Sequence, residues 1–263
     1  QRQMCIRDSM NTLIAYYQHL GWALSLLVMM TFLLAGTVKG MIGLGLPTVA
    51  MGMLGLAIAP TQAAALLIIP SIVTNTWQLV AGGQLRELVK RLWPMQVGIL
   101  LGTGLGVLWL SVDNGGWAVR ALGAALLLYA LVGLFLPALR VPASAERWAG
   151  PVCGMITGII TSATGVFVIP AVPYLQALSL NKNQLVQALG LSFSVSTLAL
   201  AAGLYWRGAL GGGELNASVL ALLPAMLGMW LGQCLRQRIS AALFKRVFFV
   251  GMAVLGAHLL ISG

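Results

Sequence analysis

The 263-residue chain is 59% hydrophobic and only 8% charged, with 32 glycines, whereas an ordinary soluble domain carries roughly 25% charged residues. So few charges cannot clothe a soluble globule of this length. Apolar stretches of about 20 residues, enough to cross a bilayer core as helix, recur along the chain. A soluble enzyme, a secreted disulfide module and a nucleic-acid-binding domain are excluded, and an all-α polytopic membrane protein is predicted. Most of the Lys and Arg behind the +10 formal charge sit in short loops between apolar runs, where the positive-inside rule accounts for them. A separate lipid or partner patch is the alternative. Cys5, Cys153 and Cys234 form no paired spacing and no metal signature.

In chain order, residues 1–9 form a polar leader unlike the apolar chain after it, and Met10 reads as the start of the folded chain. No small-residue cleavage site marks a secretory signal. The first membrane repeat, 10–138, carries apolar segments near 20–41, 46–58, 62–82, 92–111 and 117–137; the second element is short, bounded by the Gly43–Gly45–Pro47 cluster and Pro60. A connecting hinge, 139–148, holds Pro142, Ser144 and three charges. The second repeat, 149–263, has the same plan at 149–162, 166–178, 184–206, 216–235 and 241–261. Gly36-x-x-x-Gly40 is answered by Gly154-x-x-x-Gly158, and Pro94-x-x-x-Gly98-x-x-x-Gly102 by Pro224-x-x-x-Gly228-x-x-x-Gly232. Small residues at this spacing let helices approach closely in lipid.

Equivalent loops carry opposite charge bias. Arg86, Lys90 and Arg91 come after the third segment, and the counterpart loop, 208–214, has no Lys or Arg; the loop 111–116 is likewise uncharged apart from Asp113, while its counterpart holds Arg236, Arg238, Lys245 and Arg246. The positive-inside rule then sets the copies in opposite orientations. Two inverted repeats of five elements each, with both termini outside, satisfy all the basic loops.

Asp8, Glu87, Asp113, Glu146 and Glu214 all avoid the middle of apolar runs, so a cation path would lack the usual intramembrane carboxylate. His19 and His258 read as interfacial residues near helix ends. Two glycine-rich blocks, Gly36 to Pro47 and Gly154 to Gly165 with Pro170 and Pro173 beyond, are expected to interrupt helices. Freed amides at a half-helix start would cradle an anion; tight turns between packed helices are the alternative. The candidate substrate-binding residues are Lys39, Gly40, Gly43 and Gly45 in the first block and Thr164 and Gly165 in the second, with Thr74 and Asn75 in the third segment and Ser194 and Thr197 in the eighth. Lys39 either neutralises an oxyanion or snorkels to the inner surface. The hydroxyls and amides either bind the solute or bond across helices. Arg207 either attracts an anion or anchors the surface.

The first glycine block, the Gly154-to-Pro170 block and the paired Pro-x-x-x-Gly-x-x-x-Gly helices resemble the sulfite exporter TauE/SafE family, from about Met10 to Gly263. Leu46 and Pro47 interrupt the family's glycine run in the first half, and Ala163-Thr164-Gly165 replaces it in the second. The resemblance implies an inner-membrane permease of two related halves for small sulfur-containing anions such as sulfite or sulfoacetate. The partners expected are therefore a small anionic substrate and the lipid bilayer. A secondary transporter, with one half rocking against the other, is the leading expectation; a channel-like anion pore is the alternative. No catalytic motif, no metal-ligand spacing, no cofactor fingerprint and no nucleotide-binding loop is present.

Overall fold

A computed structural model describes residues 22–263 apart from 82, 111–115, 137–139 and 237. The leader, Met10, His19, Cys5, Asp8 and Asp113 lie outside the described residues. The described chain is all helix: α1 (Trp22–Ile42), α2 (Leu46–Leu54), α3 (Pro60–Val80), α4 (Leu85–Trp109), α5 (Trp117–Phe135), α6 (Ala143–Thr164), α7 (Ala171–Ala177), α8 (Lys182–Trp206), α9 (Gly212–Leu235) and α10 (Ala241–Ser262). Each corresponds to one expected segment. Seven of them, α1, α3, α4, α5, α8, α9 and α10, are long and apolar enough to span a bilayer. Helix α6 is of similar length, but it opens with Glu146 and Arg147 and carries three threonines.

Two boundaries differ most from expectation, and α2 ends at Leu54, α7 begins at Ala171 and α9 at Gly212 rather than at 58, 166 and 216. Helix α4 begins at Leu85, so Arg86, Lys90 and Arg91 lie on its first turns rather than in a loop. Leu88 and Leu92 are buried there, and their spacing of four carries the helix past the end of the apolar run. Helix α6 begins at Ala143 with Pro142 as its N-cap, which takes up most of the expected hinge. Both glycine blocks are also less broken than expected. Helix α1 stays helical through Gly36 and Gly40 to Ile42, and α6 through Gly154 and Gly158 to Thr164. The interruptions are confined to 43–45 and 165–170.

The helical glycines serve contact instead. A Cβ on Gly36 would lie 2.1 Å from Ala225 O and one on Gly40 2.2 Å from Met229 O; Cβ atoms on Gly228 and Gly232 would lie 2.0 and 2.1 Å from Leu33 O and Thr37 O. Helices α1 and α9 thus touch backbone to backbone. The same knuckle joins α4 to α6, where a Cβ on Gly98, Gly102, Gly154 or Gly158 would lie 2.1–2.4 Å from Pro151 O, Met155 O, Met95 O or Ile99 O respectively. No side chain fits between these backbones, which is how van der Waals packing holds helices together in lipid. The closest pairings therefore cross between the halves of the sequence. The main contacts form matched sets five helices apart: α1 with α9 and α6 with α4, then α3 with α9 and α8 with α4.

Contact registers give the helix directions. Residue 36 pairs with 225 and 40 with 229, so α1 and α9 run parallel; α4 and α6 do likewise. Lys39 meets Thr74 and Asn75 while Gly43 meets Gln78, so α1 and α3 are also parallel. Helices α3 and α8 are antiparallel, with Asn75 against Thr197 and Leu79 against Gln187. So are α5 and α10, where Gly116 approaches Gly263 and Gly133 approaches Phe249. Because α1 and α3 share a direction, the chain must return between them, and α2 makes that return. Segment 165–177, containing α7, does the same between α6 and α8.

These directions sort the charges. Arg86, Lys90, Arg91, Arg140, Arg147, Lys182, Arg236, Arg238, Lys245 and Arg246 fall at one end of the bundle, and Arg120 and Arg207 at the other. Exposed tryptophans mark both levels: Trp22, Trp109 and Trp206 at the weakly charged end, Trp77, Trp93, Trp148 and Trp230 toward the basic end. Indole rings at two depths around an apolar midsection are the signature of the membrane–water interfaces. The midsection itself exposes Leu100, Leu101, Leu105, Leu223, Leu227, Val250 and Val254, as a lipid-facing surface requires.

Candidate functional site

Lys39 lies one turn before the end of α1 and is 3% exposed. Its Nζ donates to Thr74 Oγ1 at 3.0 Å and to Asn75 Oδ1. Asn75 Nδ2 in turn donates to Thr197 Oγ1 at 3.3 Å, which ties α1, α3 and α8 into one cluster. Thr74 and Thr197 pass their own protons to backbone carbonyls one turn back, Pro70 O and Phe193 O. They can therefore accept from the cation and the amide. No carboxylate faces Lys39: among the described residues, Glu87, Glu146 and Glu214 all stand on first turns at the helix ends, and Glu146 is taken by Arg91. An ammonium inside a bilayer with only neutral partners is costly, by several kcal/mol in effective terms.

A polar stripe continues on both sides of the cluster. Ser71, Thr74, Asn75 and Gln78 recur at helical spacing along the buried face of α3, and Gln187, Ser192, Ser196 and Thr197 along that of α8. Gln78 Nε2 donates to Gly43 O at 2.8 Å, pinning the turn that ends α1. Gln187 Nε2 donates to Leu79 O at 2.7 Å, and Gln187 Oε1 accepts from Gln84 N at 3.0 Å. Gln96 of α4 donates to Ser192 at 3.1 Å. Ser71 Oγ, Ser196 Oγ and the Gln78 Oε1 atom are buried with no hydrogen-bond partner. Unmet polar groups in a low-dielectric interior mark a place where another partner belongs. Gln96 and Gln187 were missed as candidates, although an amide inside an apolar helix is the signal that would have found them.

Of the residues expected to bind substrate, Lys39, Thr74, Asn75 and Thr197 come together, and Gly43 joins them through Gln78. Gly40 instead faces α9. Gly45 is the N-cap of α2 with φ 106°; that left-handed conformation is what turns the chain back along α1. Ser194 is half-buried and donates to Gly190 O, in its own helix. Thr164 and Gly165 lie at the opposite end of the bundle, where Gly165 (φ 70°) packs on Met51. Arg207 is a helix cap: its Nη2 donates to Gly106 O, Val107 O and Leu110 O at 3.1, 2.7 and 2.6 Å. A cation on the last carbonyls of α4 also meets the negative end of its dipole.

Each interruption borders a cavity. At the basic end, a cavity of about 150 Å³ is lined by Ile42 and Leu44 beside the first turn, together with Tyr129, Gln176 and Lys245. At the other end, a cavity of about 180 Å³ is lined by Thr164 and Gly165 beside the second, with Pro60, Trp117 and Arg207. Between them the bundle is filled by buried side chains, including Phe167 and Phe193 in edge-to-face contact, 5.2 Å between ring centroids.

Comparison with curated proteins and with solved structures finds no match. The family model of the sulfite exporter TauE/SafE matches residues 28–259, which takes in every helix from within α1 to within α10. The chain is a multi-pass membrane protein and belongs to the sulfite exporter TauE/SafE family.

Proposed function

We propose that the protein is a secondary transporter that carries a small, sulfur-containing oxyanion across the cell inner membrane, and that Lys39 is the fixed countercharge for it. The observation that carries this reading is the Lys39 ammonium, 3% exposed, held by Thr74 and Asn75 with no carboxylate in reach. A bound anion would supply the missing charge, and Ser71 and Ser196, whose hydroxyls are without partners on the buried faces of α3 and α8, would add hydroxyl donors. Membership in a family of transporters of the sulfite type supports the direction of the inference.

The halves are read as inverted copies, which the antiparallel α3–α8 and α5–α10 pairs support. The positive-inside rule puts the basic end in the cytoplasm. A carrier is favoured over a pore because the two cavities are separated by a packed layer, as alternating access requires. The bodies that rock are then cross-paired groups, α1–α3 with α9 and α6–α8 with α4, rather than the two halves of the sequence.

The test is flux of sulfite and small sulfonates into proteoliposomes. Saturable uptake that falls at least about thirtyfold in Lys39→Gln is the expected result, since removing one partner of a buried charged contact costs about 2–5 kcal/mol. Unchanged uptake in that variant would overturn the site.

A further inference from the structure

The cavity at the basic end has a composition of its own. Ile42, Leu44 and Val172 make its apolar walls, and Gln176 and Lys245, both exposed, are its polar members. Tyr129 also lines it, and the Tyr129 hydroxyl is buried with no hydrogen-bond partner. No carboxylate is among the described residues around it. The cavity abuts the turn at Gly43, whose N–H donates to Lys39 O at 2.8 Å, so it borders the end of the helix that carries the central cation.

We propose that this cavity is a second anion site, a waiting station on the cytoplasmic side for a small organic anion. The acid group of that anion meets Lys245, and its carbon chain lies on Ile42, Leu44 and Val172. The proposal rests on Lys39 as the central site. A cation beside an apolar pocket matches an anion with an apolar portion, because such sites fix orientation with a few polar groups and hold the rest by burial. A basic group at the mouth of a low-dielectric cleft also raises the local anion concentration.

The test uses the full chain in phosphatidylcholine vesicles, with sulfite and the series from methanesulfonate to butanesulfonate presented from the Lys245 side. Half-saturation of the wild type should improve by up to about fourfold for each added methylene. Lys245→Gln should raise it about tenfold with less than a twofold change in maximal rate, and Lys245→Arg should restore it. Arg246→Gln removes the same charge one residue away from a side chain that does not line the cavity, and should leave half-saturation unchanged. Equal shifts in Lys245→Gln and Arg246→Gln, or affinity independent of chain length, would overturn the proposal.

Occupancy can also be read without transport. In a chain otherwise free of cysteine, butanesulfonate should slow labelling of Gln176→Cys by an impermeant cationic maleimide at least fivefold. That protection should vanish when Lys245→Gln is added, and no protection in the first place overturns the waiting station. If Lys39→Gln abolishes flux while the introduced thiol is never protected, only the waiting station falls. If Lys39→Gln transports normally, the central reading falls and the waiting station falls with it.

Discussion

The two chain reversals do the same mechanical job with different chemistry. In both, a long helix ends at a glycine with positive φ, and a short helix returns the chain. The first sets Lys39 one turn before its break; the position at matching register in α6, three residues past the first glycine of the repeat, is Thr157. Thr157 is fully buried and donates to Cys153 O, within its own helix. One reversal is charged and tied to α3, the other neutral and self-contained. The fold therefore needs the turn in both halves but the cation in only one. Similar turns thus stand in different polar surroundings.

The sharpest way to break this contrast is to compare Lys39→Gln with Thr157→Val in the flux assay. The first should lose about thirtyfold or more, and the second should stay within about twofold, because its hydroxyl serves only a local carbonyl. Comparable losses would mean that both reversals contact the solute. Asn75→Ala should come next, at about tenfold in half-saturation, since it removes one neutral partner of the cation and the link to Thr197. The packing predictions run the other way, toward equality. Gly102→Val and Gly232→Val put side chains into equivalent backbone contacts. Each should destabilise the detergent-solubilised protein by about 1–3 kcal/mol, and thermal unfolding should show similar shifts for both.

The smallest effect separates the two turns again. A Cβ at Gly45 would lie 2.5 Å from the stiff Val38 Cγ1, whereas one at Gly165 meets the end of flexible Met51 at 2.8 Å. Gly165→Ala should therefore cost about 1 kcal/mol, near the left-handed penalty alone, and Gly45→Ala about twice that. A larger loss at Gly165 would show that Met51 cannot move aside.

All ten segments were legible because apolar runs broken by Gly, Pro and charge leave little choice in lipid. The starts of α4 and α6 were not, because Leu85–Arg91 and Ala143–Arg147 carry charges that take them out of a hydropathy reading although they are helical. The glycine spacings revealed that helices touch closely but not which ones. Gly36 and Gly228 carry no mark of each other, so the pairing across halves needed the structure. Within the site, Lys39, Thr74, Asn75 and Thr197 were readable as polar residues in apolar runs. Thr164 and Gly165 share a motif with the first block, yet three-dimensional placement sets them at the opposite membrane face. Motif similarity tracks the repeat, whereas the site breaks it.

The glycine contacts between α1 and α9 also bear on biogenesis. The close neighbour of α1 is α9, in the other half of the sequence, so α1 must wait in the bilayer, with Gly36 and Gly40 uncovered, until α9 has left the ribosome. Such long-range pairing slows assembly and prolongs the exposure of incomplete intermediates. A chain cut between α5 and α6 should then survive only when both fragments are made together, each half lacking the partners that bury its glycine ridges.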